Sequence, residues 1–326
     1  MRKLSFSQAM AEAQLQEMER DPRVFLMGLV LRDPYGGAFG QTKGISSKLG
    51  DERIIDAPIS ELAYIGGGVG AAMAGMRPVV ELQFSDFITI GIDQVVQQGA
   101  NIRYMFGGQI SVPMVLRGPA GAYLSAAAQH SHMLESWFAH IPGLKVVLPS
   151  DPYDAKGLMT SAIRDNNLVL YFEHKKLYAK KGEVPEEPYE VPIGKAAIKR
   201  EGSDVTLVTY AYMTQLALEV AEELDKVGVK AEVVDLRTVS PIDYETVLSS
   251  VAKTKRAVCI QETYLAASVM SEVAAQINEE LFGELAAPTK RIGAKPAPIP
   301  FSPPLERHVL PQKEDIEAAV HELLNR

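Results

Sequence analysis

The sequence has a single cysteine and no long apolar run, and each absence excludes a class of protein. Cys259 lies in the apolar run AVCI, so no disulfide can form within the chain and a buried, inert thiol is expected. No run approaches the roughly 20 apolar residues that span a bilayer. Residues 1–21 predict an amphipathic helix with glutamates and not an export signal. We therefore expect a cytoplasmic protein that does not cross a membrane.

Basic residues are also scarce relative to acidic ones. The chain has 33 Lys and Arg against 41 Asp and Glu, which gives a formal net charge of −8. Because nucleic-acid binding requires a basic face, no nucleic-acid partner is expected. The hydrophobic fraction of 47% and the charged fraction of 23% are typical of a soluble globular protein. A length of 326 residues predicts two domains with a core each.

Short apolar runs alternate with helix-like stretches along the first part of the chain. Such runs, separated by helical segments, predict a parallel sheet covered by helices on both faces. The predicted strands are VFLMG at 24–28, PVVEL at 78–82, VPMVL at 112–116, KVVLP at 145–149 and LVLYF at 168–172.

This pattern is interrupted once and then starts again. Residues 177–194 are rich in Lys, Glu and Pro without periodicity, and they are predicted to be a linker. Beyond them come the strands VTLVTY, AEVVDL and AVCIQE and a helix from Thr214 that stops at Gly228, which predicts a second, smaller βαβαβ domain. The predicted fold class is therefore α/β, with two doubly wound domains at 1–176 and 195–326.

Glu61 is the first candidate functional residue. Ser60 is predicted to cap a helix that begins with Glu61, where the helix dipole and free amides favour an ionised carboxylate. Dipole compensation alone would also explain a glutamate there. The following GGGVGAAMAG at 66–75 matches only the start of a dinucleotide fingerprint. Its small residues are more typical of close approach between helices or subunits.

His130 is the second candidate. It follows three alanines and Gln129, so its imidazole is expected to stand out from a small-residue surface. With His132, His140 and Glu135 it could form a zinc site, although no cysteine pattern or supporting carboxylate accompanies it. A histidine that is hydrogen-bonded at a subunit contact is the structural alternative.

Two further groups lie at the ends of predicted elements. Phe84 and Phe87 flank Asp86 after a predicted strand, where open α/β sheets bind ligands, although such aromatics also pack in cores. Residues 161–167, SAIRDNN, end a helix in a polar turn whose carbonyl groups could face an ion. An ordinary C-terminal turn with Asn is the simpler explanation.

The sequence resembles the beta subunit of the thiamine-diphosphate-dependent 2-oxo acid dehydrogenases. These are the decarboxylating components of the pyruvate, branched-chain and acetoin dehydrogenase complexes. The resemblance covers the whole chain in order and spacing, and its segments are ISE at 59–61, AAMAGMRPVVE, FSDF, RYMFGG, RGPAG, AAQHS, PGLKVV, DAKGL and PFSPPLE. Within that family, QGANIRYMFGG and PSDPYDAKGL are most similar to acetoin dehydrogenase chains.

The resemblance implies an N-terminal pyrimidine-binding transketolase-like domain, a C-terminal transketolase-like domain and roles for individual residues. Glu61 would hydrogen-bond a ring nitrogen of the cofactor's aminopyrimidine, Phe87 would stack on that ring, and Ile59 would press on the cofactor beside it. His130 would assist transfer of the acyl unit to a lipoyl group. A potassium ion would be bound by Met114, Ala162, Asp165 and Asn167.

The GDG and NN motif, which holds magnesium and the diphosphate in thiamine-diphosphate enzymes, is absent from the sequence. The resemblance therefore implies that an alpha subunit holds both groups in an α2β2 heterotetramer and that the isolated chain is inactive. It also implies a lipoyl-bearing acyltransferase core as a partner, with pyruvate, a related 2-oxo acid or acetoin as substrate. A homodimeric transketolase-like synthase would carry the motif in its own chain.

Three positions depart from the family pattern. Gly28-Leu29-Val30 replaces a segment with an acid that the family uses in a polar tunnel between its two active sites. His132 is added close to His130, and Leu265–Ser268 replaces a Gly-Gly stretch. A non-catalytic or regulatory paralogue that keeps the fold and the alpha-subunit contact is therefore the alternative.

Overall fold

Two α/β units make up the chain, and the chain passes between them more than once. The structure, a computed structural model, describes residues 2–325. The first unit runs to Ala120 and resumes at Trp137–Ile193, and the second comprises Gly121–Ser136 and the chain from Gly194 onward. Each unit is built on its own sheet.

No change of composition marks the transfer of residues 121–136 to the second unit. The predicted domain boundaries, 1–176 and 195–326, instead place residues 121–136, which include His130, in the first domain. These boundaries stay a proposal about the two family domains. The predicted linker at 177–194 is wrong in part, because Lys181–Val184 forms a strand whose Val184 is fully buried in the first unit.

The first unit is built on a parallel sheet. Its strands are β1 (Arg2–Ser5), β2 (Val24–Gly28), β3 (Ile54–Asp56), β4 (Arg77–Glu81), β5 (Val115–Ala120), β6 (Lys145–Val147), β7 (Val169–His174) and β8 (Lys181–Val184). In the order β6-β7-β5-β4-β2-β3, all neighbours are parallel. Every residue of β5 and β7 is buried, as expected for strands covered on both faces. The other four predicted strands are confirmed with shifts of at most two residues at their ends, whereas the strand predicted at 112–116 shares only Val115 and Leu116 with β5.

Helices flank this sheet, and the first of them begins later than predicted. The helices are α1 (Phe6–Arg20), α2 (Ile45–Leu49), α3 (Glu61–Met73), α4 (Ile102–Met105), α5 (Glu135–Ala139) and α6 (Pro152–Arg164). Arg2–Ser5 instead forms β1, which pairs antiparallel with β8. Ser5 then caps α1, because its hydroxyl accepts from Gln8 N at 3.2 Å while Ser5 N donates to the Gln8 side chain at 2.9 Å.

The second unit repeats the layered arrangement. Its elements are β9 (Ala197–Arg200), β10 (Val205–Thr209), α7 (Ala211–Lys226), β11 (Ala231–Asp235), β12 (Thr238–Ser240), α8 (Tyr244–Thr254), β13 (Ala257–Tyr264), α9 (Val269–Glu280), β14 (Lys290–Ala294), α10 (Pro303–Val309) and α11 (Lys313–Leu324). The sheet order is β14-β13-β10-β11-β9, and β9 alone among these strands is antiparallel to its neighbour. The apolar face of α7, with Leu216, Val220 and Leu224, lies in the core as its spacing predicts.

The single cysteine and the lack of a long apolar run each predicted a feature of the structure. Cys259 is fully buried in β13, and burial raises the pKa of its thiol to about 12, so the prediction of an inert thiol is confirmed. Within residues 2–325 none of the helices has the length and apolar character needed to cross a bilayer.

Candidate active site

Glu61 begins α3, as predicted, but Ser60 does not cap the helix with its side chain. The Ser60 carbonyl oxygen instead accepts from Ala63 N at 3.0 Å and Tyr64 N at 3.1 Å. The Glu61 side chain is only 6% exposed, and no side chain within residues 2–325 forms a hydrogen bond or ion pair with it. A carboxylate with little exposure is stabilised by a hydrogen-bond donor, and Glu61 has an acceptor available for one.

Phe87 is brought next to the same helix. After β4 the chain forms a 3-10 helix over Ser85–Gly91, and this segment packs against α3. A side chain at Gly91 would lie 2.5 Å from Ile65 of α3, so the glycine allows the two segments to approach closely. Ile59 precedes the helix and is 81% exposed. The structure therefore places Ile59, Glu61 and the half-buried Phe87 on two segments that pack together.

A row of aromatic rings extends away from Phe87. The Phe84 and Phe87 rings meet edge to face with centroids 6.0 Å apart, and Phe39 meets Phe84 in the same way at 5.7 Å. Tyr178 lies 5.5 Å beyond Phe39. The Lys175 ammonium group lies 5.5 Å from the centre of the Phe84 ring. Sequence reasoning missed Phe39, because it lies in an irregular glycine-rich loop distant from the Phe84 segment in sequence.

A buried charge cluster lies at the far end of this row, next to Tyr178. The fully buried guanidinium of Arg117 forms ion pairs with Glu81 and Glu173, and the Tyr178 hydroxyl donates to Glu173 at 2.8 Å. Ala38 N donates to Glu81 at 3.2 Å. Burial raises the pKa of Glu81 to about 7, and the nearby Arg117 opposes this shift. Because β4, β5 and β7 are adjacent strands, their charged residues meet although each appears alone in the sequence.

His130 lies in the second unit, in the segment Gly121–Ser136. It ends a 3-10 turn over Ala128–His130, and its backbone N–H donates to the Ala127 carbonyl oxygen at 3.4 Å. Its side chain is half-buried. The imidazole is thus partly accessible, as its small-residue surroundings predict.

Glu135 lies in the same segment and is fully buried. Its Oε1 accepts a hydrogen bond of 2.7 Å from the Tyr210 hydroxyl, and Oε2 has no hydrogen-bond partner within residues 2–325. Burial raises the pKa of Glu135 to about 7, although the Tyr210 hydroxyl opposes the shift. Since those residues contain no group of three or more His, Cys, Asp or Glu side chains able to hold a metal ion, the zinc site considered for His130 and its neighbours gains no support.

Family comparisons match both parts of this architecture. Residues 2–181 match the transketolase pyrimidine-binding domain and residues 194–316 match the transketolase C-terminal domain. The beta subunit of acetoin:2,6-dichlorophenolindophenol oxidoreductase from Cupriavidus necator is 47% identical over 99% of this chain and 98% of its own. The chain belongs to the family of 2-oxo acid and acetoin dehydrogenase beta subunits. The resemblance described from the sequence is thereby confirmed.

Other members of this family are nearly as similar. The beta subunit of 2-oxoisovalerate dehydrogenase from Bacillus subtilis is 45% identical over 98% of both chains. The beta-1 subunit of the mitochondrial pyruvate dehydrogenase E1 component from Arabidopsis thaliana is 44% identical over 93% of this chain and 85% of its own. A solved split gene transketolase, described as an inactive beta4 tetramer, has a TM-score of 0.79 at 21% identity and covers 99% of this chain and 98% of its own. That structure confirms the fold alone.

The residues predicted to bind potassium lie close together at the end of α6 and the start of β7. Val169 N donates to the Met114 carbonyl oxygen at 2.9 Å, and Asp165 N donates to the Ala162 carbonyl oxygen at 3.3 Å. Asn167 N donates to the Asp165 carboxylate at 2.8 Å. Ala162, Asp165 and Asn167 are therefore connected by hydrogen bonds, and Met114 bonds to the first residue of β7.

Three cationic side chains already contact these residues. Arg77 donates to the Asp165 carbonyl oxygen at 2.9 Å, Lys145 forms an ion pair with the Asp165 carboxylate, and Arg103 donates to the Asn167 side chain at 2.7 Å. The carboxylate is therefore already neutralised, whereas carbonyl oxygens keep a second lone pair. Potassium binding at these positions stays a prediction.

Leu29 follows β2 at the position where the family has an acid, and it is buried. The next residue, Val30, adopts a left-handed φ of 48°, and its carbonyl oxygen accepts from Gly37 N at 3.0 Å. An apolar side chain therefore fills this position, and the adjacent backbone supports the loop that carries Phe39.

Proposed function

We propose that this chain is the beta subunit of the thiamine-diphosphate-dependent component of a 2-oxo acid or acetoin dehydrogenase complex. The complex decarboxylates a 2-oxo acid such as pyruvate, or cleaves acetoin, and reductively acylates a lipoyl group. The activities in the names of the three relatives support this proposal. The observation that carries it is Glu61, a residue only 6% exposed at the start of α3 whose carboxylate receives no hydrogen-bond donor within residues 2–325.

The residues around Glu61 fit a pyrimidine ring. Glu61 supplies a hydrogen-bond acceptor, Phe87 an aromatic face and the exposed Ile59 an apolar contact. When bound, thiamine diphosphate supplies the nucleophilic carbon that adds to the substrate carbonyl group and retains the electrons of the broken bond. Glu61 holds the ring in its reactive protonation state, and His130 holds or delivers a proton during acyl transfer.

The second part of the site comes from a partner. Because this sequence lacks the GDG and NN motif, an alpha subunit holds the diphosphate and its magnesium ion, and we propose an α2β2 heterotetramer in the cytoplasm. A lipoyl-bearing acyltransferase core accepts the acyl group. Potassium at Met114, Ala162, Asp165 and Asn167 belongs to the same proposal.

Glu61→Gln tests the proposal in the assembled complex. The tagged chain is purified with the alpha subunit that accompanies it, and substrate-dependent reduction of 2,6-dichlorophenolindophenol is measured with pyruvate and with acetoin. We expect the rate to fall by about 10²–10⁴-fold, because an amide is a poorer acceptor for the ring N–H and remains uncharged. Sedimentation velocity should show unchanged assembly.

Glu52→Gln is the matched control, since Glu52 is an exposed glutamate of the same unit, and its rate should match the wild type. A near-normal rate for Glu61→Gln would overturn the assigned role of Glu61. Wild-type complex that binds thiamine diphosphate but turns over neither substrate would favour the non-catalytic paralogue, which the replacement of an acid by Leu29 makes conceivable.

A further inference from the structure

The segment that carries His130 has an unfavourable backbone. Tyr123, Ser125 and Ala127 have φ values of 65°, 53° and 61°, in the left-handed region that side chains other than glycine rarely adopt. Each such residue is strained, and the conformation persists only where surrounding contacts impose it. We name residues 121–132 the histidine loop.

Three hydrogen bonds fix the start of the histidine loop. Gly121 N donates to the His132 carbonyl oxygen at 3.1 Å and closes the loop. Ala122 N donates to the Glu262 carboxylate at 2.6 Å, and the Tyr123 hydroxyl donates to the Pro311 carbonyl oxygen at 2.7 Å. These hydrogen bonds involve only the two ends of the histidine loop and do not hold its middle.

Glu306 of α10 holds the middle of the loop. Its side chain is only 5% exposed. Ser125 N donates to Oε1 at 3.1 Å and to Oε2 at 3.0 Å, and the Ser125 hydroxyl donates to Oε2 at 3.1 Å. The Glu306 carboxylate thus accepts hydrogen bonds from both the backbone N–H and the hydroxyl of Ser125, whose φ lies in the left-handed region. Hydrogen bonds to a charged acceptor are the stronger class, so Glu306 offsets the strain at this point.

We propose that Glu306 is a positioning residue for His130 and acts through Ser125 on the acyl-transfer step. This inference rests on the proposed function. Because the 3-10 turn ending in His130 begins soon after Ser125, the direction of the chain at Ser125 determines where the imidazole is presented. Glu306 itself contacts the loop and not the reacting groups.

The step affected is the reduction of the lipoyl disulfide. Carbon dioxide has by then left a 2-oxo acid, or acetaldehyde has left acetoin, and the former carbonyl carbon retains the electron pair of the broken C–C bond. That carbon then bonds to one sulfur as the S–S bond breaks, and it is thereby oxidised to the level of an acyl group. The disulfide gains two electrons, and the second sulfur takes a proton, which His130 delivers. Reduction of the dye bypasses this step, because the dye accepts the electrons directly.

The test measures two rates in the same preparation of assembled complex: acylation of free lipoamide and reduction of the dye. Their ratio does not depend on the amount of folded complex. Glu306→Gln should lower the ratio of acylation to dye reduction about tenfold, because the uncharged amide turns an N–H donor toward Ser125 N–H. His130→Ala serves as the reference for complete loss of the step.

Further variants separate positioning from general damage. Ser125→Ala removes only the hydroxyl contact and should lower the ratio about threefold, and Glu306→Asp should restore part of the loss. Glu314→Gln, an exposed glutamate in the same unit, should leave the ratio unchanged. If Glu306→Gln does not assemble, Ser125→Ala decides the question.

Each outcome has a distinct meaning. A wild-type complex without dye reduction would refute the proposed function itself. An active complex whose ratio is unaffected by His130→Ala would refute the role of His130. The remaining case is an active complex in which His130→Ala lowers the ratio. There, an unchanged ratio in Glu306→Gln and Ser125→Ala, or an equal fall of both rates, overturns the positioning role of Glu306.

Discussion

Gly37→Ala should destabilise the first unit through the buried charge cluster. Gly37 has a φ of 85°, and a Cβ built there would lie 2.5 Å from Glu81 Oε1 and 2.8 Å from Oε2. The carboxylate would have to move, although it accepts from Ala38 N at 3.2 Å and pairs with the fully buried Arg117. The same loop offers a matched control, since Gly40 has a φ of 77° and no atom within 4 Å of its Cβ position.

Both substitutions place an alanine at a left-handed φ, but only Gly37→Ala brings its Cβ close to other atoms. Each places a side chain in the left-handed region, which costs about 1–2 kcal/mol. Gly37→Ala also disturbs a buried hydrogen bond, which adds about 1–3 kcal/mol, and weakens a buried ion pair, whose complete loss costs about 3–5 kcal/mol. We expect Gly37→Ala to lower the free energy of unfolding by about 3–5 kcal/mol and Gly40→Ala by about 1–2 kcal/mol.

Urea unfolding of the chain, followed by fluorescence and circular dichroism, measures both values. Since Phe39 lies in this loop and packs on Phe84, Gly37→Ala should also weaken thiamine-diphosphate binding by the assembled complex. Equal free energies of unfolding for the two variants would refute this prediction, because they would show that the Glu81 carboxylate moves aside without loss of stability. A Gly37→Ala effect that persists in full in Glu81→Ala would refute it equally.

Two further predictions concern pH and salt. The pKa of Glu135 is raised from 4.5 to about 7, so its contribution to stability is greatest below about pH 4.5 and is lost as pH rises to about 7. Glu135→Gln should therefore gain about 3 kcal/mol relative to wild type between urea titrations at pH 5 and pH 8, and parallel pH profiles would contradict this. If potassium binds the carbonyl oxygens at Met114, Ala162 and Asp165, the protein should melt at a higher temperature in potassium chloride than in equimolar choline chloride, by about 2 °C or more. Identical melting temperatures would remove the potassium assignment.

The sequence was sufficient for elements defined by local patterns. The buried strands β2 and β7 begin with runs of apolar residues, and the helix starting at Glu61 was predicted because a polar residue precedes a run of small and apolar ones. Local spacing determines which face of such an element is buried. The apolar stripe of α7 was predictable for the same reason, although its start at Ala211 was not.

Pairings between distant segments were not predictable in this way. The antiparallel pair of β1 and β8 joins two mostly polar segments, and neither has the alternation that marks a strand. The cluster of Glu81, Arg117 and Glu173 depends on which strands are neighbours. A single charged residue in an apolar run does not reveal its partners, so these contacts appear only when the sheet order is known.

Leu29 determines how the catalytic and non-catalytic interpretations should be weighed. An acid there would be a buried charge that requires a partner, whereas leucine is stable when buried. Its neighbour Val30 still supports the loop of Phe39 through the bond from Gly37 N. Glu61 and Phe87 keep their places on α3 and the adjacent 3-10 helix. The position thus holds no ionisable group, while the residues proposed to bind the cofactor are all present, which favours an enzyme over a non-catalytic paralogue.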